Sequence, residues 1–173
     1  MKPALLLYLR IFFFMGLGFG LFMFLTDALS GEGLGAKSVF LRGFLFGTFM
    51  SLILVTFHLI RLRYLGIKEF TTEILRPSQK KILQSDISKQ ELISKLKSDP
   101  VVGKMQMNEN GNEISLKSGM NLWGFGENIS IKINPKTIQS TEYEIESTPI
   151  MKTTLVDFGK NLQNVNRIEK LIV

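Results

Sequence analysis

Two apolar runs in the first sixty residues constrain this chain more than any other feature. Leu5 to Thr26 is broken only by Arg10, and Ser38 to Ile60 only by Arg42 near its start. The runs are 22 and 23 residues long, and a helix needs about 20 to cross a hydrocarbon core. No water is present there to satisfy backbone amides and carbonyls, so both runs are predicted helical. The link from Asp27 to Lys37 is short and carries Gly31, Gly33 and Gly35. The expected result is a tight transmembrane hairpin over residues 1–63.

Charge gives the hairpin a direction. Lys2 precedes the first run, with Arg10 just inside it. Arg61, Arg63, Lys68, Arg76, Lys80 and Lys81 follow the second. The link holds Asp27 and Glu32 against Lys37. The positive-inside rule then places both termini in the cytoplasm and the hairpin tip outside. A cleaved signal peptide is the rival reading of the first run, with Ala28-Leu29-Ser30 as a cleavage-site mimic. The run is longer than the roughly 7–15 residues of a signal core, which favours a retained span.

The same arithmetic removes nucleic acid as a partner. The net charge is +6, and a basic chain invites that reading. Residues 61–81, however, hold six basic side chains against Glu69 and Glu73, whereas residues 82–173 hold 11 basic and 11 acidic ones. The excess lies beside the membrane, where it sets topology and attracts anionic headgroups. Membrane lipids are therefore the expected partners of those six residues. Within the spans, Gly16, Gly18 and Gly20 cluster on one helix, and Gly43 and Gly47 form a G-x-x-x-G on the other. Small residues let transmembrane backbones approach closely. They pack either the hairpin on itself or the hairpin on another membrane protein. Arg10 and His58 fall toward one side and Asp27 and Arg42 toward the other, all near enough to an interface to snorkel. Two helices alone cannot enclose a pore.

Residues 64–81 form a basic juxtamembrane segment, and residues 82–173 are enough for one small core. Strands are expected over Ile67 to Leu75 and, more weakly, Lys80 to Ser85. Ser88-Lys89-Gln90-Glu91 fits a capping box, with Ile87 and Leu92 placed for a hydrophobic staple. That helix buries Leu92, Ile93 and Leu96 and stops at Asp99-Pro100. Strands follow over Val101 to Met107, Glu113 to Ser118, Asn128 to Ile133 and Thr141 to Ser147. They are separated by turns at Asn108–Asn112 and Asn134-Pro135-Lys136 and by a bend from Gly119 to Gly126. Alternation with a period of two implies an antiparallel sheet with one wet face. A last helix carries Phe158, Leu162, Val165, Ile168 and Leu171/Ile172 at helical spacing, capped by Thr154 or Asp157. The expected fold is membrane-anchored α+β: a two-helix hairpin, then a two-layer domain of antiparallel sheet with two helices.

Part of this domain resembles a family of small bacterial domains of unknown function. The resemblance rests on Gly124-Phe125-Gly126-Glu127-Asn128-Ile129 leading into a strand, on Ser147, and on Asp157-Phe158-Gly159-Lys160-Asn161 opening the last helix. It covers roughly residues 79–172. Glu146 stands where the family has a basic residue, and Thr148-Pro149-Ile150-Met151 replaces its Ser-Arg-Val-Gly. The resemblance implies this α+β fold, a bacterial origin and hence an inner (cytoplasmic) membrane location. It implies no activity.

Catalytic and metal chemistry find little material. The chain has no cysteine and a single histidine, His58, which removes thiolate chemistry, multi-histidine metal sites and a Ser-His-Asp triad in the domain. Glu142, Glu144 and Glu146 share a strand face, expected to pair with Lys132 and Lys117 rather than hold a cation. Asp157 and Glu127 border the glycine bends and are the one acid–base pair to consider. The glycines around Asn161 lack the spacing of a phosphate-binding fingerprint. Trp123 and Phe125, with Asp157 and Asn161, make a candidate contact loop. No cofactor or metal is implied. The reading is an accessory or scaffold subunit packed among other integral-membrane subunits, with a cytoplasmic protein-contact domain. The alternative is a tethered domain for lipid or a small apolar ligand, and an uncharacterised hydrolase comes third.

Overall fold

A computed structural model describes residues 2–31, 35–120, 124–137 and 140–173. It divides into two compact units, residues 1–75 and 76–173.

The first unit is the helical hairpin. Helix α1 (Lys2–Ser30) and helix α2 (Ala36–Tyr64) each run 29 residues, and both are long and apolar enough to cross a membrane. The helices overrun the apolar runs, as far as Ser30 in α1 and Tyr64 in α2. Gly66 stops α2: it takes φ +88°, and the Ile67 amide reaches back to the Leu62 carbonyl at 3.1 Å. A left-handed residue just past the last turn satisfies carbonyls that the helix leaves open, and glycine adopts it without a Cβ clash. The strand expected over Ile67 to Leu75 does not form. Thr71 folds that segment into a turn, its carbonyl accepting from the Leu75 amide at 3.1 Å and its hydroxyl from the Ile74 amide at 3.3 Å. Local side-chain bonding of this kind competes directly with a sheet ladder.

The second unit is an α+β domain. Its chain order is β1 (Gln79–Ser85), α3 (Lys89–Ser98), β2 (Gln106–Asn110), β3 (Glu113–Lys117), β4 (Glu127–Thr137), β5 (Ser140–Pro149) and α4 (Lys160–Ile172). The five strands form one antiparallel sheet in the order β1-β5-β4-β3-β2. Alternation sets the faces. Ile114 and Leu116, Ile129, Ile131 and Ile133, and Tyr143 and Ile145 point inward and are buried. Leu92 and Leu96 of α3 and Val165, Ile168 and Ile172 of α4 complete the core. The Tyr143 hydroxyl, buried with its ring, donates to the Ile87 carbonyl at 2.6 Å.

Ser88 caps α3, accepting from the Glu91 amide at 3.2 Å, while the Glu91 carboxylate pairs with Lys95 at 3.2 Å. Asp99 replaces the expected strand start at Val101. Its Oδ1 accepts from the Val101 and Val102 amides at 2.9 and 2.8 Å, which folds Val102–Lys104 into a 3-10 turn. Strand β2 therefore begins at Gln106. Strand β4 runs through the expected Asn134-Pro135-Lys136 turn to Thr137, with a register shift between Pro135 and Thr137. A proline, lacking an N–H, is tolerated in a strand at such an irregularity.

Candidate functional site

The hairpin seam is built from the glycines. The buried face of α2 reads Gly43, Gly47, Ser51, Val55, His58 and Leu62, a small residue every turn in its first half. A Cβ on Gly47 would lie 2.6 Å from the Phe12 carbonyl oxygen, and one on Gly43 2.8 Å from that of Gly16. A Cβ on Gly16 would lie 2.9 Å from the Gly43 oxygen, and one on Gly20 3.8 Å from the Gly43 Cα. The two backbones touch with no room for a side chain. Gly18 stands apart, with nothing within 4 Å of its Cβ position. Four of the five glycines thus close the hairpin on itself. Polar contacts lock its two ends. The Tyr8 and Thr56 hydroxyls lie 2.9 Å apart, and Arg42 meets Asp27 at 3.5 Å.

Beside the seam runs an apolar groove of about 590 Å3. Gly16, Gly20 and Gly43 form its floor, and Phe13, Leu17, Phe24 and Phe40 stand in its walls. Leu17 is 70% exposed and Phe40 73%. The groove exists because glycine removes side chains from the floor while the neighbouring positions keep large ones.

The six juxtamembrane cations separate into two groups. Lys80 and Lys81 belong to β1, where Lys80 pairs with Glu144 at 2.8 Å and Lys81 with Glu169 at 2.7 Å. Arg61 lies over the Tyr64 ring and Arg63 over the Phe70 ring, at 5.5 and 4.9 Å from the centroids. Lys68 follows in the irregular segment, and Arg76 opens the second unit. On the sheet's outer face Glu144 also lies 3.9 Å from Lys132, and Glu142 meets Lys136 at 3.4 Å. Lys117 stands opposite Asn128 instead. Among the described residues no group of three or more acids and histidines is arranged to hold a metal ion.

In the second unit a chain of buried polar groups joins the sheet to α4. The Ser147 hydroxyl donates to Asn161 Oδ1 at 2.6 Å and accepts from Asn164 Nδ2 at 3.3 Å. Asp157 Oδ2 accepts from the Asn161 amide at 2.8 Å and from its Nδ2 at 3.0 Å, and Oδ1 from the Gly159 amide at 3.1 Å. Asp157 and Asn161 are therefore buried and do not form a solvent-facing contact loop. Burial pushes the Asp157 carboxyl above its ordinary value, and the amides of Asn161 and Gly159 work against that push. Glu127 is also buried, its backbone and carboxylate both bonded to the Ser118 hydroxyl. Asp157 and Glu127 are each committed to their own neighbours and do not meet as acid and base. Phe125 is 59% exposed, and Trp123 lies outside the described residues.

Sequence reasoning found Val165, Ile168 and Ile172 on the inner face of α4, but it missed Asn164 and added Phe158 and Leu162. Both are only half-buried, while Asn161 and Asn164 face inward. Two asparagines three residues apart on a helix, with a serine at the end of a facing strand, are the signal for such a bridge. No protein-family model, curated protein or solved structure matches this chain.

Two outcomes follow for the full-length protein. Phe19 and Phe46 stack across the hairpin at 4.2 Å between ring centroids, so cysteines at these positions in the otherwise cysteine-free chain report its closure. Gly47→Leu should cut their bismaleimide cross-linking in membranes severalfold, whereas Gly18→Leu should leave it unchanged; equal yields would contradict the seam. The second outcome concerns Asp157. Its raised carboxyl makes the charged form costly, so this contribution falls as pH rises from the ordinary carboxylate value through the raised one. In urea titrations read by Trp123 fluorescence, the stability advantage of wild type over Asp157→Asn should shrink from pH 4 to pH 7. An advantage that grows with pH would show that the amide bonds outweigh burial.

Proposed function

We propose that this protein is an accessory or scaffold subunit of a larger membrane complex. In this reading the hairpin is embedded in a bacterial inner membrane with both termini cytoplasmic, an orientation that the charge distribution supports. The α+β domain then contacts the soluble part of the assembly. The glycine-floored groove carries the reading. Hairpin packing brings Gly16, Gly20 and Gly43 together, and along that same seam they leave an open apolar groove where a neighbouring transmembrane helix can pack. Phenylalanine walls suit the close van der Waals packing by which helices associate in lipid.

The domain offers a matching surface. Phe125, Met120 and Met151 are exposed apolar side chains on two loops. The Ile150 amide ties those loops together by donating to the Gly126 carbonyl at 3.0 Å. Exposed aromatic and methionine side chains are typical of protein contacts. Its two buried acids support a non-enzymatic role, because each is spent on structure, Asp157 at the start of α4 and Glu127 on Ser118, and the half-buried Asp99 is bonded to Arg167 at 2.8 Å. The ligand-binding alternative gains less support. Isoleucines, leucines and Tyr143 fill the space between sheet and helices that a bound lipid would need.

The test is a photo-reactive amino acid at Leu17, in the groove, or at Leu52, a lipid-facing position outside it that is 55% exposed. Irradiated native membranes should give one discrete protein adduct from position 17 and none from position 52. Adducts to lipid alone, or the same adducts from both positions, would contradict the subunit reading.

A further inference from the structure

The basic end of the hairpin carries a second, quite different groove. It has a volume of about 820 Å3 and lies between the first turns of α1 and the segment that follows α2. Leu5 lines its apolar side and is 60% exposed. Arg63, Lys68 and the Thr72 hydroxyl line the other side, together with Glu69. Two cations against one carboxylate leave an excess of one positive charge. Among the described residues neither Arg63 nor Lys68 takes part in an ion pair. Phe70 holds the Arg63 guanidinium against its face. Stacking uses the plane of a guanidinium and leaves its edge N–H groups free to grip a phosphate through two oxygens.

We infer that this groove binds the headgroup of an anionic phospholipid. Arg63 and Lys68 take the phosphodiester, Thr72 and Glu69 take headgroup hydroxyls, and the acyl chains descend past Leu5 along the hairpin. Position supports this occupant: the groove lies where two membrane-length helices end, at the level of headgroups. Its size falls within the roughly 300–1,000 Å3 usual for ligand sites. The inference rests on the membrane reading of the hairpin and not on the subunit role.

The experiment uses the full-length protein in nanodiscs of equal phosphatidylglycerol and phosphatidylcholine, with the lipids retained on release counted by native mass spectrometry. One phosphatidylglycerol per chain should be retained, preferred about fivefold over phosphatidylcholine, as expected for one uncompensated cation at a headgroup. Arg63→Gln with Lys68→Gln should remove the preference, and Lys152→Gln, an exposed lysine in the second unit, should not. Equal retention of the two lipids, or a preference that survives the double variant, would overturn the site. So would displacement of the lipid by millimolar inorganic phosphate, which would mark a free-anion site. Failure to enter nanodiscs at all would instead overturn the membrane reading on which the site rests.

Discussion

Lipid gives two apolar helices no hydrophobic reason to associate, because hydrocarbon chains solvate leucine and phenylalanine as well as another helix does. What holds this hairpin together is therefore close contact of backbones, and only glycine permits it. Gly16, Gly43 and Gly47 are placed so that any added Cβ would run into a carbonyl oxygen or a Cα of the other helix. The rest of the first unit follows from that contact. Tyr8 and Thr56 are brought within hydrogen-bonding distance, and so are Arg42 and Asp27. Phe13, Phe14 and Phe40 stand outward, whereas Phe19 and Phe46 stack across the hairpin. The groove with the glycine floor is the direct geometric consequence.

A different constraint organises the second unit. A buried amide or hydroxyl without a partner costs several kcal/mol, roughly 1–3 in proteins, so buried polar groups come in sets. Ser147 sits on the inward face of β5 in register with Ile129. Asn161 and Asn164 turn toward it, and Asp157 holds the first turn of α4 in place. That set fixes the rotation of the helix. Phe158 adopts φ +54° and Gly159 φ +74° just before it, so the chain enters α4 through two left-handed residues. Ser147, Asp157, Gly159 and Asn161 converge at this junction. Their convergence gives them a structural role.

Much of the fold was legible because it rests on period and length. The two spans, the antiparallel alternation of Ile129, Ile131 and Ile133, and the Ser88 cap all read directly from spacing. The failures share one cause. At Asp99 and Thr71 a short polar side chain captures backbone amides and redirects the chain, whereas the capture by Asp157 at the start of α4 is the cap that the sequence offered. An apolar pattern carries no record of such captures. The inward face of α4 held at Val165, Ile168 and Ile172 but not at its first turn, where satisfied asparagines take the place expected for Leu162. At the hairpin the glycines were visible, but whether they faced each other or a partner depended on helix rotation. The groove beside them is a surface shape that no linear pattern encodes. Lys80 and Lys81 read as headgroup residues by position; in the fold both lie on β1, where Lys80 pairs with Glu144 of β5 and Lys81 with Glu169 of α4.

In the subunit reading the self-closed hairpin offers its glycine-floored groove to another membrane protein. The most direct measurement is native mass spectrometry of the tagged full-length protein after extraction in a gentle detergent. The expected mass exceeds that of the 19.6 kDa chain by one or more membrane subunits in fixed stoichiometry. A chain that emerges alone, carrying nothing but lipid, would contradict it.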